Sequence, residues 1–327
     1  MELTLALAGD TMLGRGVAEE LRRSPSPGTL LSQAVRVALA QADLVVLNLE
    51  CCVSGRGHRW PDPGKPFFFR APPAAAGILA ELGVDCVTLA NNHALDYGFD
   101  ALADTRTLLD RAGVRAVGAG ADLAAAREFA VLEASGARIA VVGVTDDPED
   151  FAAGENRPGV AFADLYRSVP GWLAELVARA ADEADAVLVT PHWGPNMTTR
   201  PPAHVPPAAK ELLDAGATLV AGHSSHVFHG VTHRILYDMG DFVDDYAVDP
   251  VLRNDLGLLF LVTLAGPDPA HLAPTGLEAL PLFLDYCHTR VARDGEREWI
   301  RERFTSACAG FGTEVGERGG RLTVDWR

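Results

Sequence analysis

The segment Ala90-Asn91-Asn92-His93-Ala94-Leu95-Asp96-Tyr97-Gly98 follows directly on the apolar run Val84–Leu89. Two amides, an imidazole and a carboxylate thus crowd the point where a buried strand surfaces. Desolvating such groups costs on the order of several kcal/mol unless a metal or hydrogen-bond partners satisfy them. The arrangement recurs four times. Leu3–Ala8 opens onto Gly9-Asp10-Thr11-Met12-Leu13-Gly14, and Leu44–Leu47 runs into Asn48-Leu49-Glu50. Ala186–Thr190 ends at His192-Trp193-Gly194, and Ala217–Ala221 ends at Gly222-His223-Ser224-Ser225-His226. Five apolar strands that each deliver metal-capable side chains from the C-terminal end read as one assembled enzyme site.

Ala- and Leu-rich periodic stretches predict helices over Gln33–Leu39, Pro73–Leu82, Ala101–Ala112, Leu165–Ala181 and Pro207–Ala215. Gly83, Gly113 and Gly216 stand where a glycine ends a helix before the next strand. Strands alternating with helices predict an α/β layered protein with parallel strands. Phe129–Ala134 and Arg138–Val144 flank Ser135-Gly136 as an antiparallel hairpin, so the sheet is mixed. Further strands are expected over Leu258–Leu264, Leu277–Leu284 and Arg321–Trp326, with a helix over Asp294–Cys308. No linker divides the chain, and 1–327 reads as one domain. Ser54–Pro66 is a long aperiodic excursion beside Glu50, the kind of loop that often serves as a lid.

The 327 residues carry a net charge of −16, and Lys65 and Lys210 are the only lysines. Nucleic-acid binding, which needs a basic footprint, is therefore not expected. An anionic substrate would have to be drawn in by bound metal and local arginines. The five cysteines show no paired spacing, as free thiols in a reducing compartment would. The N-terminus enters a strand at once, and no run approaches the roughly 20 apolar residues that span a bilayer. No membrane anchor and a cytoplasmic location are the expectation.

Carboxylates and imidazoles without thiolates suit Mn, Fe or Zn in a reactive rather than a structural site. Two adjacent divalent ions need about six such ligands and a bridging carboxylate. Asp10, Glu50, Asn92, His192, His223 and His226 supply that set. His93, one residue beyond a ligand, stands where a general acid could act, with Asp96 placed to orient it or to cap the next helix. Arg15 and Arg70 lie nearest these blocks as anion clamps, and Asn91 is taken as a further substrate contact. His58, His204, His229, His233, His271 and His288 lack ligand spacing and read as structural or exposed.

The blocks GDTMLG, NLE, ANNHALDYG, HWG, GHSSH and GDF, in this order from about Leu3 to about Leu264, resemble the CapA / poly-γ-glutamate capsule-synthesis family. That family is related in fold to the calcineurin-like metallophosphoesterases. The resemblance implies a four-layer α/β/β/α sandwich with two mixed sheets and residues 265–327 as a C-terminal extension packed on it. It implies Glu50 as the bridging carboxylate, Asn92 as ligand and His93 as proton donor. His192 matches the isolated histidine, and His223 and His226 match the paired ones. Three readings of function follow. The first is a metal-dependent hydrolase that uses metal-activated water on a phosphoester or related anionic metabolite. The second is hydrolysis, ligation or transfer at an amide in poly-γ-glutamate or a peptide-like substrate. The third is a non-catalytic binding or assembly protein. Met12 stands where the phosphoesterases carry histidine, which leaves one metal position a ligand short. Asn196, the GHSSH block and Asp241, which replaces an asparagine, are further departures.

Overall fold

A computed structural model describes residues 1–326. Alternation along the strands builds its layers. In the strand Glu2–Thr11, Leu3, Leu5 and Leu7 point to one face, and Ala6 and Ala8 to the other. Strand side chains alternate with period two, so a strand that is apolar on both faces must be covered on both. The first face meets Ile139 and Val141 of the strand Ala137–Thr145, whose Ala140, Val142 and Val144 face away. These outward residues pack on the helices Gly171–Glu183 and Val205–Asp214 through Leu173, Val177, Ala208 and Leu212. Ala6 and Ala8 share a core with Val17, Val35, Leu79 and Leu109 of four helices on the opposite side. The result is helices, sheet, sheet, helices, the four layers that the resemblance implied.

Both sheets are mixed. In the first, Glu2–Thr11 runs parallel to Leu44–Leu49 and antiparallel to Leu256–Ala265, and Cys86–Thr88 runs parallel to Leu44–Leu49. In the second, Ala137–Thr145, Ala186–His192 and Leu219–Ala221 are parallel neighbours, with Ala130–Ala134 antiparallel at the edge. The hairpin at Ser135-Gly136 therefore forms where the sequence puts it. The helix expected over Leu165–Ala181 begins only at Gly171, because Pro170 is its N-cap in extended conformation. Beyond residue 265, Ala273–Asp285 pairs antiparallel with Leu256–Ala265 and so extends the first sheet. The helix Asp294–Ala309 sends Ile300, Phe304 and Cys308 into the layer between the sheets. All five cysteines are free and buried. No helix among the described residues is long and apolar enough to cross a membrane.

The five strands read from the sequence all form, and their C-terminal ends converge at one edge of the sandwich. A bulge shapes that edge. The register of Glu2–Thr11 shifts at Asp10 against both of its parallel neighbours, where Gly9 passes so close that a Cβ would overlap the Gly240 carbonyl oxygen. Bulges re-aim side chains at functional edges, and this one turns Asp10 inward, where it is 1% exposed.

Phe304 is fully buried, with ring centroids 6.2 Å from Phe228 and 6.1 Å from Phe260. Phe304→Ala should lower the free energy of unfolding by about 3–5 kcal/mol through lost burial and a residual cavity, read as a shift of the urea midpoint. A loss below about 1 kcal/mol would mean that the C-terminal helix contributes little to the inter-sheet core.

Candidate metal centre

Parallel pairing places two carboxylates opposite each other, because Asp10 and Asp241 are register partners at the end of Glu2–Thr11. Asn48, the partner of Asp10 on the other side, donates from Nδ2 to Asp10 Oδ1 at 2.8 Å. His223 Nδ1 lies 3.1 Å from the same oxygen, and the Ser224 backbone N–H donates to Asp10 Oδ2 at 3.3 Å. His226 Nδ1 sits 2.8 Å from Asp241 Oδ1 and 3.4 Å from Asp10 Oδ2. Asp10, Glu50, His226 and Asp241 each bring a ligand atom into one group whose members all lie within 4.8 Å of one another. Ligands on a cation with bonds of about 2.1 Å lie about 3–4 Å apart, so this group could hold one small divalent ion after a modest inward shift of its donor atoms.

Next to this group lies His192, with Nε2 3.6 Å from Glu50 Oε1, too long for a hydrogen bond. Both Glu50 oxygens, both His192 nitrogens, Asn92 Oδ1 and Asp241 Oδ2 are buried without a hydrogen-bond partner. Buried polar atoms are nearly always paired, and open carboxylate oxygens and ring nitrogens gathered in this way are donors that a divalent cation could take. Asp10, Glu50 and Asp241 are at most 1% exposed, and no lysine or arginine is among the buried residues described. Burial acts to raise the Asp10 carboxyl, but the histidines His223 and His226 outweigh it and hold it well below the usual carboxylate range. Burial acts against a charged His226 ring, yet Asp241, Glu50 and Asp10 together hold it well above its ordinary value. Glu50 likewise draws His192 upward against burial.

The Gly222–His226 loop carries these histidines in a strained backbone, with positive φ at Ser224 (111°) and His226 (59°). Such non-glycine conformations cost on the order of 1–3 kcal/mol each and persist where the surroundings impose them. Asp238 imposes this one: Oδ2 accepts from the Ser225 N–H at 2.8 Å, and Oδ1 from the Gly240 N–H at 2.9 Å. Burial and the charge of Asp10 push the Asp238 carboxyl up to about 7. Gly222 allows the loop to close, since a Cβ there would strike the Trp193 ring, whose Nε1 donates to the Tyr237 carbonyl at 2.9 Å.

On the far side, His93 Nδ1 lies 2.6 Å from Asp96 Oδ2, which also accepts from the Phe69 N–H at 2.6 Å. Asp96 therefore orients His93 rather than capping the following helix. Lys65 Nζ reaches Asp96 Oδ1 at 3.0 Å and donates to the Asn92 carbonyl at 2.7 Å. The Ser54–Pro66 excursion forms neither helix nor strand, and Lys65 and Trp60, whose N–H donates to the Asp96 carbonyl at 2.9 Å, tie it to this turn.

Asp10, Glu50, His192, His223 and His226 thus meet, with Asn92 and His93 on the adjoining turn. One expectation is corrected. Asn91 is fully buried: its Nδ2 donates to Asn48 Oδ1 and the Leu49 carbonyl, and its Oδ1 accepts from the His93 N–H. It braces the strand ends and has no group left for a substrate. Asp241 brings a fourth side chain into the candidate group, beside the gap expected at Met12; the Met12 sulfur is buried and accepts from the Gly14 N–H. Arg15 and Arg70, expected as anion clamps, lie outside the candidate metal group. Arg15 pairs with Asp245 and stacks on Phe69 and Tyr246, and Arg70 stacks on Tyr97. The sequence reading named Asn48 and Asp241 without a place in the centre and did not single out Asp238. The run Tyr237-Asp238-Met239-Gly240-Asp241 follows the short strand Ile235–Leu236, and it repeats the pattern of apolar strand and polar exit that marked the other five.

A model described as "Bacterial capsule synthesis protein PGA_cap" matches residues 4–246. The chain belongs to that family. It is 32% identical over 363 residues to a probable polyglutamine synthesis accessory protein of Mycobacterium tuberculosis, covering 96% of this chain and 93% of the relative. It is 29% identical over 249 residues to the PGA biosynthesis protein CapA of Bacillus subtilis, covering 74% and 63%. Among solved structures, a hypothetical protein of Thermus thermophilus superposes with a TM-score of 0.47 at 18% identity, covering 85% of this chain and 98% of that one. The NAD nucleotidase of Haemophilus influenzae gives 0.45 at 11% identity, covering 90% and 52%.

Protein loaded with Mn²⁺ should hold two ions per chain by elemental analysis. Asp241→Asn should lose about one of them, and Met12→His should leave the count unchanged. Full retention by Asp241→Asn would remove that carboxylate from the ligand set, and a gain of an ion in Met12→His would restore the missing-ligand reading.

Proposed function

We propose that this chain is a divalent-cation-dependent hydrolase of an anionic substrate, a phosphoester foremost, with His93 as proton donor to the leaving group. The observation that carries this reading is the set of buried, unpaired donor atoms of Glu50, Asp241, Asn92 and His192 in one centre. Two Mn, Fe or Zn ions, one held by Asp10, Glu50, His226 and Asp241 and one by Glu50, Asn92, His192 and His223, would supply Lewis-acid charge and acidify water there. Everything else falls to the chain. Asn48, His223 and the Ser224 N–H hold the Asp10 carboxylate in place. Asp96 engages His93 at Nδ1, so the imidazolium form donates from Nε2 and the Phe69 ring, 4.1 Å away, limits how far it can tilt. The buried surroundings keep bulk water from this proton.

The relatives' names, which refer to polyglutamine synthesis and PGA biosynthesis, favour a second reading in which the bond is an amide of a glutamate polymer. Mn²⁺-loaded protein should release phosphate or phenol from an aryl phosphate panel. His93→Ala should slow that turnover by about 10²–10⁴-fold, the usual contribution of a general acid, with its metal content unchanged. Equal turnover by both proteins would remove His93 from the mechanism. Cleavage of γ-glutamyl amides with no phosphoester turnover would replace the first reading by the second.

A further inference from the structure

Beside the metal centre, a cavity of about 330 Å³ is lined by Arg15, Arg22, Arg59 and Arg70, with Phe67, Phe68 and Tyr97 among its walls. In a chain of net charge −16, four guanidiniums here meet only Glu19 in the lining and Asp245, the partner of Arg15. Arg22 and Arg59 have no ion-pair partner among the described residues, and Arg70 donates to the backbone carbonyls of Arg56 and Gly57. Aromatic faces fix three of the four. The guanidinium carbon of Arg15 lies 5.0 Å from the Phe69 centroid and 5.4 Å from that of Tyr246. Arg59 lies 5.1 Å from Phe68, and Arg70 4.1 Å from Tyr97. Stacking holds a guanidinium plane while its N–H edge stays open to carboxylate or phosphate oxygens.

The same aromatic rings are the wall to the centre. Phe69 is 4.1 Å from the His93 ring, and Tyr246 is 5.2 Å from the His226 ring, centroid to centroid. Arg15, stacked on both Phe69 and Tyr246, is thus one ring removed from each of these histidines. The volume falls at the lower end of small-molecule pockets. Four cations on separate side chains around one cavity, three of them stacked on different rings, suit charges repeated along a chain.

We propose that this cavity is a subsite for an oligoanion, a chain bearing carboxylates or phosphates on successive units, which extends from the metal centre across the Phe69–Tyr246 wall. The subsite rests on the reading of that centre as a site for an anionic substrate. It places the specificity for chain length in Arg22 and Arg59, which sequence reading did not single out, together with Arg15 and Arg70, which it did.

Calorimetric titration of Mn²⁺-loaded protein tests it with glutamate, triglutamate, hexaglutamate, orthophosphate and tripolyphosphate. Affinity should rise from monomer to oligomer, as linked contacts add, and should weaken with added salt. Arg22→Gln/Arg59→Gln should weaken oligomer binding by about tenfold or more, the scale of one lost charge-assisted hydrogen bond, while binding of the monomeric anions, the metal content and the melting temperature stay unchanged. Preference for hexaglutamate or for tripolyphosphate names the charge carrier and supports the subsite either way. No oligomer binding by the wild type, no gain with length, or equal oligomer affinity in the double variant overturns it. Oligomer binding without any turnover would retain the subsite and remove the hydrolase, whereas turnover with equal oligomer affinity in the double variant would remove the subsite alone.

Discussion

Asp10, Glu50 and Asp241 bring their carboxylates together at the sheet edge with no lysine or arginine among the buried residues described. Buried carboxylates repel one another and lose hydration, and the penalty per ion in a protein interior runs to several kcal/mol. Imidazoles offset part of it: His223 and His226 engage Asp10, and His226 also engages Asp241. Oxygens of Glu50 and Asp241 stay unpaired all the same. Buried carboxylate oxygens left open in this way suit a bound cation, and the features at this edge hold the group together.

The supports lie one layer out from the ligands. Asp238 pins the strained Gly222–His226 loop through two backbone N–H groups. Asn91 ties the exit of Cys86–Thr88 to Asn48 and Leu49 of the neighbouring strand, and Asn48 passes that support to Asp10. Amides suit this bridging role because each carries donor and acceptor at once. A carboxylate at either position would add charge where there is already too much, and an apolar side chain would leave strand-end groups without partners.

Strand ends were legible in the sequence because an apolar run that stops at His, Asp or Asn is a local signal. It gave the five strands, the mixed sheets and most of the side chains that meet in the centre. The place of Asp241 in the centre was not legible, since its strand, Asp241–Val243, has three residues and owes its position to parallel pairing with the far end of Glu2–Thr11. Such pairing between residues more than 200 positions apart leaves no periodicity to read. Asn91 was misread for a related reason: at a strand exit an amide looks the same whether it faces a substrate or a neighbouring strand, and only the register with Leu44–Leu49 decides. Lys65 lies in an excursion without pattern, so its reach to Asp96 was invisible.

That reach gives the aperiodic segment a physical role. The Asp96 carboxylate meets His93, the Phe69 N–H and Lys65, and its carbonyl accepts from Trp60. One residue therefore joins the imidazole at the metal centre, the aromatic wall toward the arginine cavity and the Ser54–Pro66 excursion that carries Arg59. Movement of the excursion away from the turn would draw Lys65 from Asp96 and shift Arg59 at the cavity at the same time. The orientation of His93 and the loop that carries Arg59 thus share one buried carboxylate, and Lys65 and Trp60 tie the long loop beside Glu50 to the candidate site.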